Sequence, residues 1–255
     1  MELKLFIFGC IFFVVSLLIR YALKYFKKIL ILQKIYLLLD VIWSPLIIAS
    51  FFMFFFIQAF KIPSGSMRNT LLEGDHLFVN KFIYGFKIPF VTNSKRYFIL
   101  RKIKRGDIVV FKCPPEALTI TEIKNNEKKD YIKRCVAIEG DKVEIKNKKL
   151  YINDIYIEEP YTIFNDYVSL KSPIVNISKK YYQKNWEKGK FVLMPVSFVR
   201  DNFGPVIVPK GHYMMMGDNR DVSFDSRFWG PLNDKYIKGR TLLLYWPIKR
   251  WKVIL

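Results

Sequence analysis

The chain has 255 residues, 51% of them hydrophobic, with 42 Lys and Arg against 22 Asp and Glu and a formal charge of +20. That length holds one sizeable core plus a membrane anchor. Three cysteines and two histidines, with no CxxC and no zinc-ligand spacing, exclude a disulfide scaffold and a zinc site, so no metal or cofactor is expected.

Residues 5–19, LFIFGCIFFVVSLLI, carry no charge. Arg20, Tyr21 and Leu23 follow where a signal peptide would have small residues, so the run reads as a first membrane span over about 4–20. Arg20, Lys24, Lys27, Lys28 and Lys34 then make a basic loop, which the positive-inside rule places in the cytoplasm. Residues 41–60, VIWSPLIIASFFMFFFIQAF, are uncharged as well and about 30 Å long as a helix, which predicts a second span. Residues 1–60 are therefore expected to be a two-helix anchor, and residues 61–255 an extracytoplasmic domain. Localisation follows as a multi-pass protein of the plasma (inner) membrane. The basic residues are scattered rather than blocked, which favours anionic lipid over nucleic acid as the partner of the positive charge.

At the exit of the second run stands IPSGSM, residues 62–67. Two serines flank Gly65, read as a tight-turn residue. Beyond it the pattern turns to short β-branched and aromatic runs: HLFVNKFIY, DIVVFK, YIKRCVAI, KVEIKNKKLYIND, HYMMMGD and GRTLLLYW. They predict a mainly β domain of antiparallel sheets, with a hairpin turn at Asn147. No long amphipathic helix is evident. Residues 150–207 carry no motif and read as a β-rich insert. Whether Cys113 and Cys135 pair is left open, as sequence sets no geometry.

A serine nucleophile needs a base. His76 and His212 have no Asp at a fixed local offset. Lys133 is the other candidate, because burial can hold a lysine neutral, whereas arginine keeps its proton. In DYIKRCVAIEGD, strand alternation puts Lys133 and Arg134 on opposite faces, but alternation alone does not separate a buried base from an edge lysine.

Four stretches in order, PSGSM, RGDIVVF, DYIKR and GDNRDVSFDSRFWGPL, resemble the bacterial type I signal peptidases. The resemblance implies a membrane-bound serine endopeptidase that removes signal peptides from exported preproteins, cleaving after small residues of Ala-x-Ala type. It implies Ser66 as nucleophile and Lys133 as general base, with Ser64 supporting the oxyanion, Ser223 orienting the lysine amine, and Asp225 and Arg227 paired beside the site. Ile62, Met67, Leu71, Tyr131 and Ile132 match positions that line substrate pockets, and the peptide is expected to bind extended at a sheet edge. Asn69 stands where proline is frequent, and Val222 where asparagine is. Two rival readings remain: a non-enzymatic lipid-binding domain with a degenerate site, and a self-cleaving repressor, whose DNA-binding domain would take the place of the spans. Oligomeric state is not set by the sequence.

Overall fold

The computed structural model describes residues 2–25, 56–87, 96–125, 129–171 and 177–254, together with residues 34, 41, 45, 48, 49, 52 and 127. Two compact units divide at Gln58/Ala59. The first contains helix α1, Glu2–Tyr25. Among the described residues, no helix is long and apolar enough to cross a membrane. Most of the expected second span lies outside the described residues. Its last residues, 57–60, belong to strand β1, Ile57–Lys61, rather than to a helix. IQAFK alternates half-buried and exposed positions, a strand period that the uncharged run before it concealed.

The second unit is built on antiparallel sheets. β2 (His76–Asn80), β5 (Ile108–Lys112), β6 (Asp130–Ala137), β11 (His212–Met216) and β13 (Ile237–Trp246) fall on the apolar runs read from the sequence. Among the described residues, β3 (Phe86–Lys87) and β4 (Arg96–Tyr97) pair only with each other. The main sheet runs β1-β2-β13-β5-β6-β11-β12, where β12 is Leu232–Asn233, and β14 (Lys252–Val253) pairs with β13. A four-stranded sheet orders β10 (Phe203–Ile207), β7 (Lys142–Lys146), β8 (Lys149–Ile152) and β9 (Ile155–Tyr156). Asn147 and Lys148 have φ of 47° and 70°, so β7 and β8 join through a two-residue turn of the predicted kind. Asn153 and Asp154, at 52° and 67°, repeat it between β8 and β9.

The segment expected to be β-rich, 150–207, also contains helix, contrary to that expectation. α2, Ile120–Lys124, is a short capped turn, but α3, Lys179–Glu187, is the longest helix of the second unit. Its sequence KKYYQKNWE is polar except for a few aromatics. Only Tyr182 and Trp186, one turn apart, anchor it to the core. That is too short a stripe to register as helical periodicity. Trp186 Nε1 donates to the Ser226 carbonyl at 2.7 Å, which ties α3 to α4, Ser226–Trp229.

Strand alternation sorts the core. Val109, Phe111 and Cys135 pack on the face of the main sheet shared by Lys133, with Met215 and Trp229. Ile108 and Val110 pack with Ile62, Met67, Leu71 and Leu244 in a separate cluster. Cys113 and Cys135 are both buried and free.

Candidate active site

Ser66 lies in a 3-10 turn, Gly65–Met67, just after β1. Lys133 sits in the middle of β6, paired in register with Val109 of β5. The fold brings them together across 67 residues: Lys133 Nζ is 2.5 Å from Ser66 Oγ. Both are buried, with 5% of Lys133 and 8% of Ser66 exposed. Burial pushes the Lys133 amine down to about 8, and the charge of Asp225, which works the other way, does not restore it. The Tyr131 ring lies 5.7 Å from Nζ.

An open groove of about 670 Å³ runs past this pair. Tyr131 and Ile132 line it from β6, Ser64 and Gly65 from the serine turn, and Val222 and Phe224 from the loop after β11. Lys129 and Asp130 add charge to its lining. Tyr131 and Ile132 therefore face the groove. Ile62, Met67 and Leu71 do not line the groove. They are fully packed in the hydrophobic core beneath the serine turn, because an apolar residue flanking a turn has the core as its nearest apolar surroundings. Val222 and Phe224 were not singled out as pocket residues, since nothing local in VSF marks a groove wall.

The turn carrying Ser66 is held from the GDNRD stretch. Asn219 N donates to the Ser66 carbonyl at 3.1 Å, and its side-chain amide donates to the Gly65 carbonyl at 3.3 Å. A Cβ on Gly217 would overlap both the Ser66 carbonyl oxygen and Ser223 Oγ, so only glycine fits there. Gly65 is not in the left-handed region. Its missing Cβ leaves room instead for the exposed Arg68–Glu73 pair, whose atoms a side chain at 65 would meet.

Arg134, next to Lys133, reaches a different set of partners. Its Nε and Nη2 donate to the two carboxylate oxygens of Asp218, at 2.8 and 2.6 Å, and Thr70 Oγ1 donates to the same carboxylate at 2.5 Å. This buried fork ties β6 to the end of the serine turn. The pair is 84 residues apart, and no local signal predicts it.

Asp225 and Arg227 form the expected ion pair, at 2.9 Å through Nε and again through Nη2. Both are fully buried. Burial alone would raise the Asp225 carboxyl, but the Arg227 charge and hydrogen bonds outweigh it and hold the group below the usual carboxylate range. Asp225 also caps α4 at the Arg227 N–H and accepts from Gly217 N at 3.1 Å. Arg227 spends its remaining donors on the carbonyls of Arg200 and Arg220, both at 2.7 Å. Ser223 departs from expectation. Its hydroxyl is buried against Gly217 and beside the Asp225 carboxylate, which it helps to hold ionised, and the anticipated bond to the lysine amine is not formed here. The histidines lie elsewhere: His212 Nδ1 meets the Lys210 carbonyl and His76 packs on Tyr245.

A serine hydroxyl held against a lysine amine beside an open, largely apolar groove is the arrangement of a serine peptidase. Residues 35–246 match the family model described as signal peptidase, peptidase S26. The chain is 36% identical over 187 residues to thylakoidal processing peptidase 1, chloroplastic, of Arabidopsis thaliana, covering 73% of this chain and 41% of that one. It is 34% identical over 240 residues to signal peptidase I of Buchnera aphidicola subsp. Baizongia pistaciae, covering 79% and 74%. It aligns with the crystal structure of a signal peptidase I from Enterococcus faecalis at 25% identity, covering 55% of this chain and 97% of that one with a TM-score of 0.32, so the assignment rests on the sequence matches. The chain belongs to the signal peptidase family, peptidase S26, a family of serine endopeptidases.

Proposed function

We propose that this protein removes signal peptides from exported preproteins by a Ser/Lys dyad, with Ser66 as nucleophile and Lys133 as general base. The observation that carries this reading is the 2.5 Å contact between Lys133 Nζ and Ser66 Oγ, with the amine depressed to about 8 by burial. A neutral amine takes the Ser66 proton as Oγ attacks the scissile carbonyl. The resulting ammonium then protonates the departing amine, leaving an acyl-enzyme. Water, deprotonated by the same lysine, attacks the acyl carbon and frees Ser66. Ser64, on the groove wall, supports the developing oxyanion with its hydroxyl, beside the Ser66 N–H. Ser223, buried in the loop beside Gly217 and Asp225, turns to orient the Lys133 amine during turnover. Asp225 and Arg227 hold the loop that carries it.

The substrate lies extended between the Tyr131–Ile132 wall and the Val222–Phe224 wall. Their apolar surface suits an uncharged cleavage segment, and we take small side chains at the cleavage site from the family resemblance.

The family is membrane-associated, and we read the residues that precede strand β1 as a two-span anchor with the catalytic unit outside the cytoplasm. The continuous helix α1, with Ile7, Ile11, Phe13, Val14, Leu17 and Leu18 exposed, supports a lipid setting. Anionic lipid is the expected surface for a domain of this charge. The dyad geometry favours an enzyme over a lipid-binding domain with a degenerate site.

The test is cleavage of a preprotein with an Ala-x-Ala site in detergent or vesicles. Ser66→Ala and Lys133→Ala should each abolish product while the domain stays folded by circular dichroism. Near-full activity in either variant would overturn the dyad.

A further inference from the structure

The stretch between β9 and α3 carries no motif, yet Glu159–Ile163 makes contact with the serine turn through three routes. Ile163 N donates to the Asp218 carbonyl at 2.9 Å, and Arg220 N donates to the Ile163 carbonyl at 3.1 Å, so this stretch lies hydrogen-bonded along residues 218–220. Asn219, at the centre of that contact, is the residue whose N–H holds the Ser66 carbonyl. The second route is charged. The buried Glu159 carboxylate accepts from both Arg220 Nη1 and Nη2, at 2.6 and 2.5 Å, and from the Tyr161 hydroxyl at 2.8 Å. Arg220 Nε then donates to the Gly217 carbonyl at 3.0 Å, and Gly217 packs on Ser66. The third route is direct. Asn69, three residues after Ser66, adopts a φ of 83° and donates its side-chain amide to the Tyr161 carbonyl at 3.1 Å. The Tyr161 ring also lies under the Arg134 guanidinium at 3.7 Å, and Arg134 is the partner of Asp218.

A bidentate carboxylate–guanidinium pair fixes orientation as well as distance. A turn of three residues cannot fix the nucleophile by itself, and small misplacements of a reacting atom are costly. We propose that Glu159–Ile163 is a brace that sets the position of Ser66 against Lys133, with Glu159, Tyr161 and Asn69 as positioning residues for the reaction. None of the three lines the groove. Their effect is therefore on the rate of chemistry and not on substrate binding. This inference rests on the Ser/Lys reading above.

The experiment compares full-length wild type with Glu159→Gln, Asn69→Gly and the double variant, measuring kcat and KM for preprotein cleavage across pH 6–10. Asn69 is exposed and glycine accepts its backbone angle, so Asn69→Gly keeps the fold while removing the amide donor. Each single variant should lower kcat by about tenfold or more with KM within about twofold. The acid limb of the kcat profile should move to higher pH, because a loosened Ser66 turn lets water reach the Lys133 amine. The double variant should lose less than the product of the two single losses, as members of one brace do. Wild-type kcat in both single variants, a loss confined to KM, or a loss equal to the fall in folded fraction at the assay temperature each overturns the brace. Ser66→Ala run alongside separates the two claims: if it still cleaves, the dyad fails; if it is dead and the brace variants are unimpaired, only the brace fails.

Discussion

The backbones of Gly217 and Ser66 lie so close that no side chain fits between them; a Cβ at 217 would overlap the Ser66 carbonyl oxygen. Gly217 is therefore required by contact with the turn that carries Ser66. Its φ is not in the left-handed region, so backbone freedom is not the reason. Gly217→Ala should push the turn off Lys133 and lower the cleavage rate by about a hundredfold. A steady-state assay beside a thermal melt checks this. An unchanged rate in a folded variant would mean the turn relaxes without consequence.

The Lys133 amine at about 8 implies opposite demands on activity and stability. In the proposed dyad the neutral amine is the working form, so the rate should fall as pH drops below about 8 and level off above it. For stability, the folded-state value lies below the unfolded one of about 10.4. Between those values the unfolded chain binds more protons, so stability rises with pH through that window. Below about 8 the folded domain carries a buried ammonium at a cost. Lys133→Met should then stabilise the domain at pH 7 by about 1–3 kcal/mol while abolishing cleavage. Paired melts at pH 7 and pH 10 test this: the gain should shrink at the higher pH.

Asp225 and Arg227 are a fully buried pair whose carboxylate also caps α4 and accepts from Gly217 N. Asp225→Asn leaves the Arg227 guanidinium buried without its counter-charge. We expect a loss of about 3–5 kcal/mol in a denaturant titration. It also removes the negative charge that favours protonated Lys133. In whatever fraction stays folded, the acid limb of activity should move to lower pH.

Asn69 makes a prediction against the resemblance. The resemblance would put proline at this place, yet Asn69 has a φ of 83°, and proline holds φ near −65°. Asn69→Pro should lower both activity and melting temperature. A variant as active as wild type would show that the turn accepts the other backbone shape.

The strands that carry the site were legible because each is a short apolar run bounded by turn residues. Lys133 and Arg134 were separated by alternation alone, and the ordered motifs supplied Ser66 and Ser223. What stayed hidden was set by distance in the chain. The Arg134–Asp218 fork spans 84 residues, and the Glu159–Arg220 pair spans 61. Helix α3 was missed because two aromatics one turn apart are a weak stripe. Ile62, Met67 and Leu71 were matched to pockets by position, but closeness to a nucleophile in sequence says nothing about which side of the turn a residue faces.

Neighbouring residues on β6 do unlike work: Lys133 meets Ser66 while Arg134 grips Asp218. A substitution on this strand alters one of those contacts. Loss of one residue upstream would bring the permanently charged Arg134 guanidinium to Ser66, whereas a gain of one would carry the Lys133 amine to Asp218 and leave Ile132 facing Ser66. Drift in strand length is thus closed to this enzyme along β6, even where drift in residue type is open.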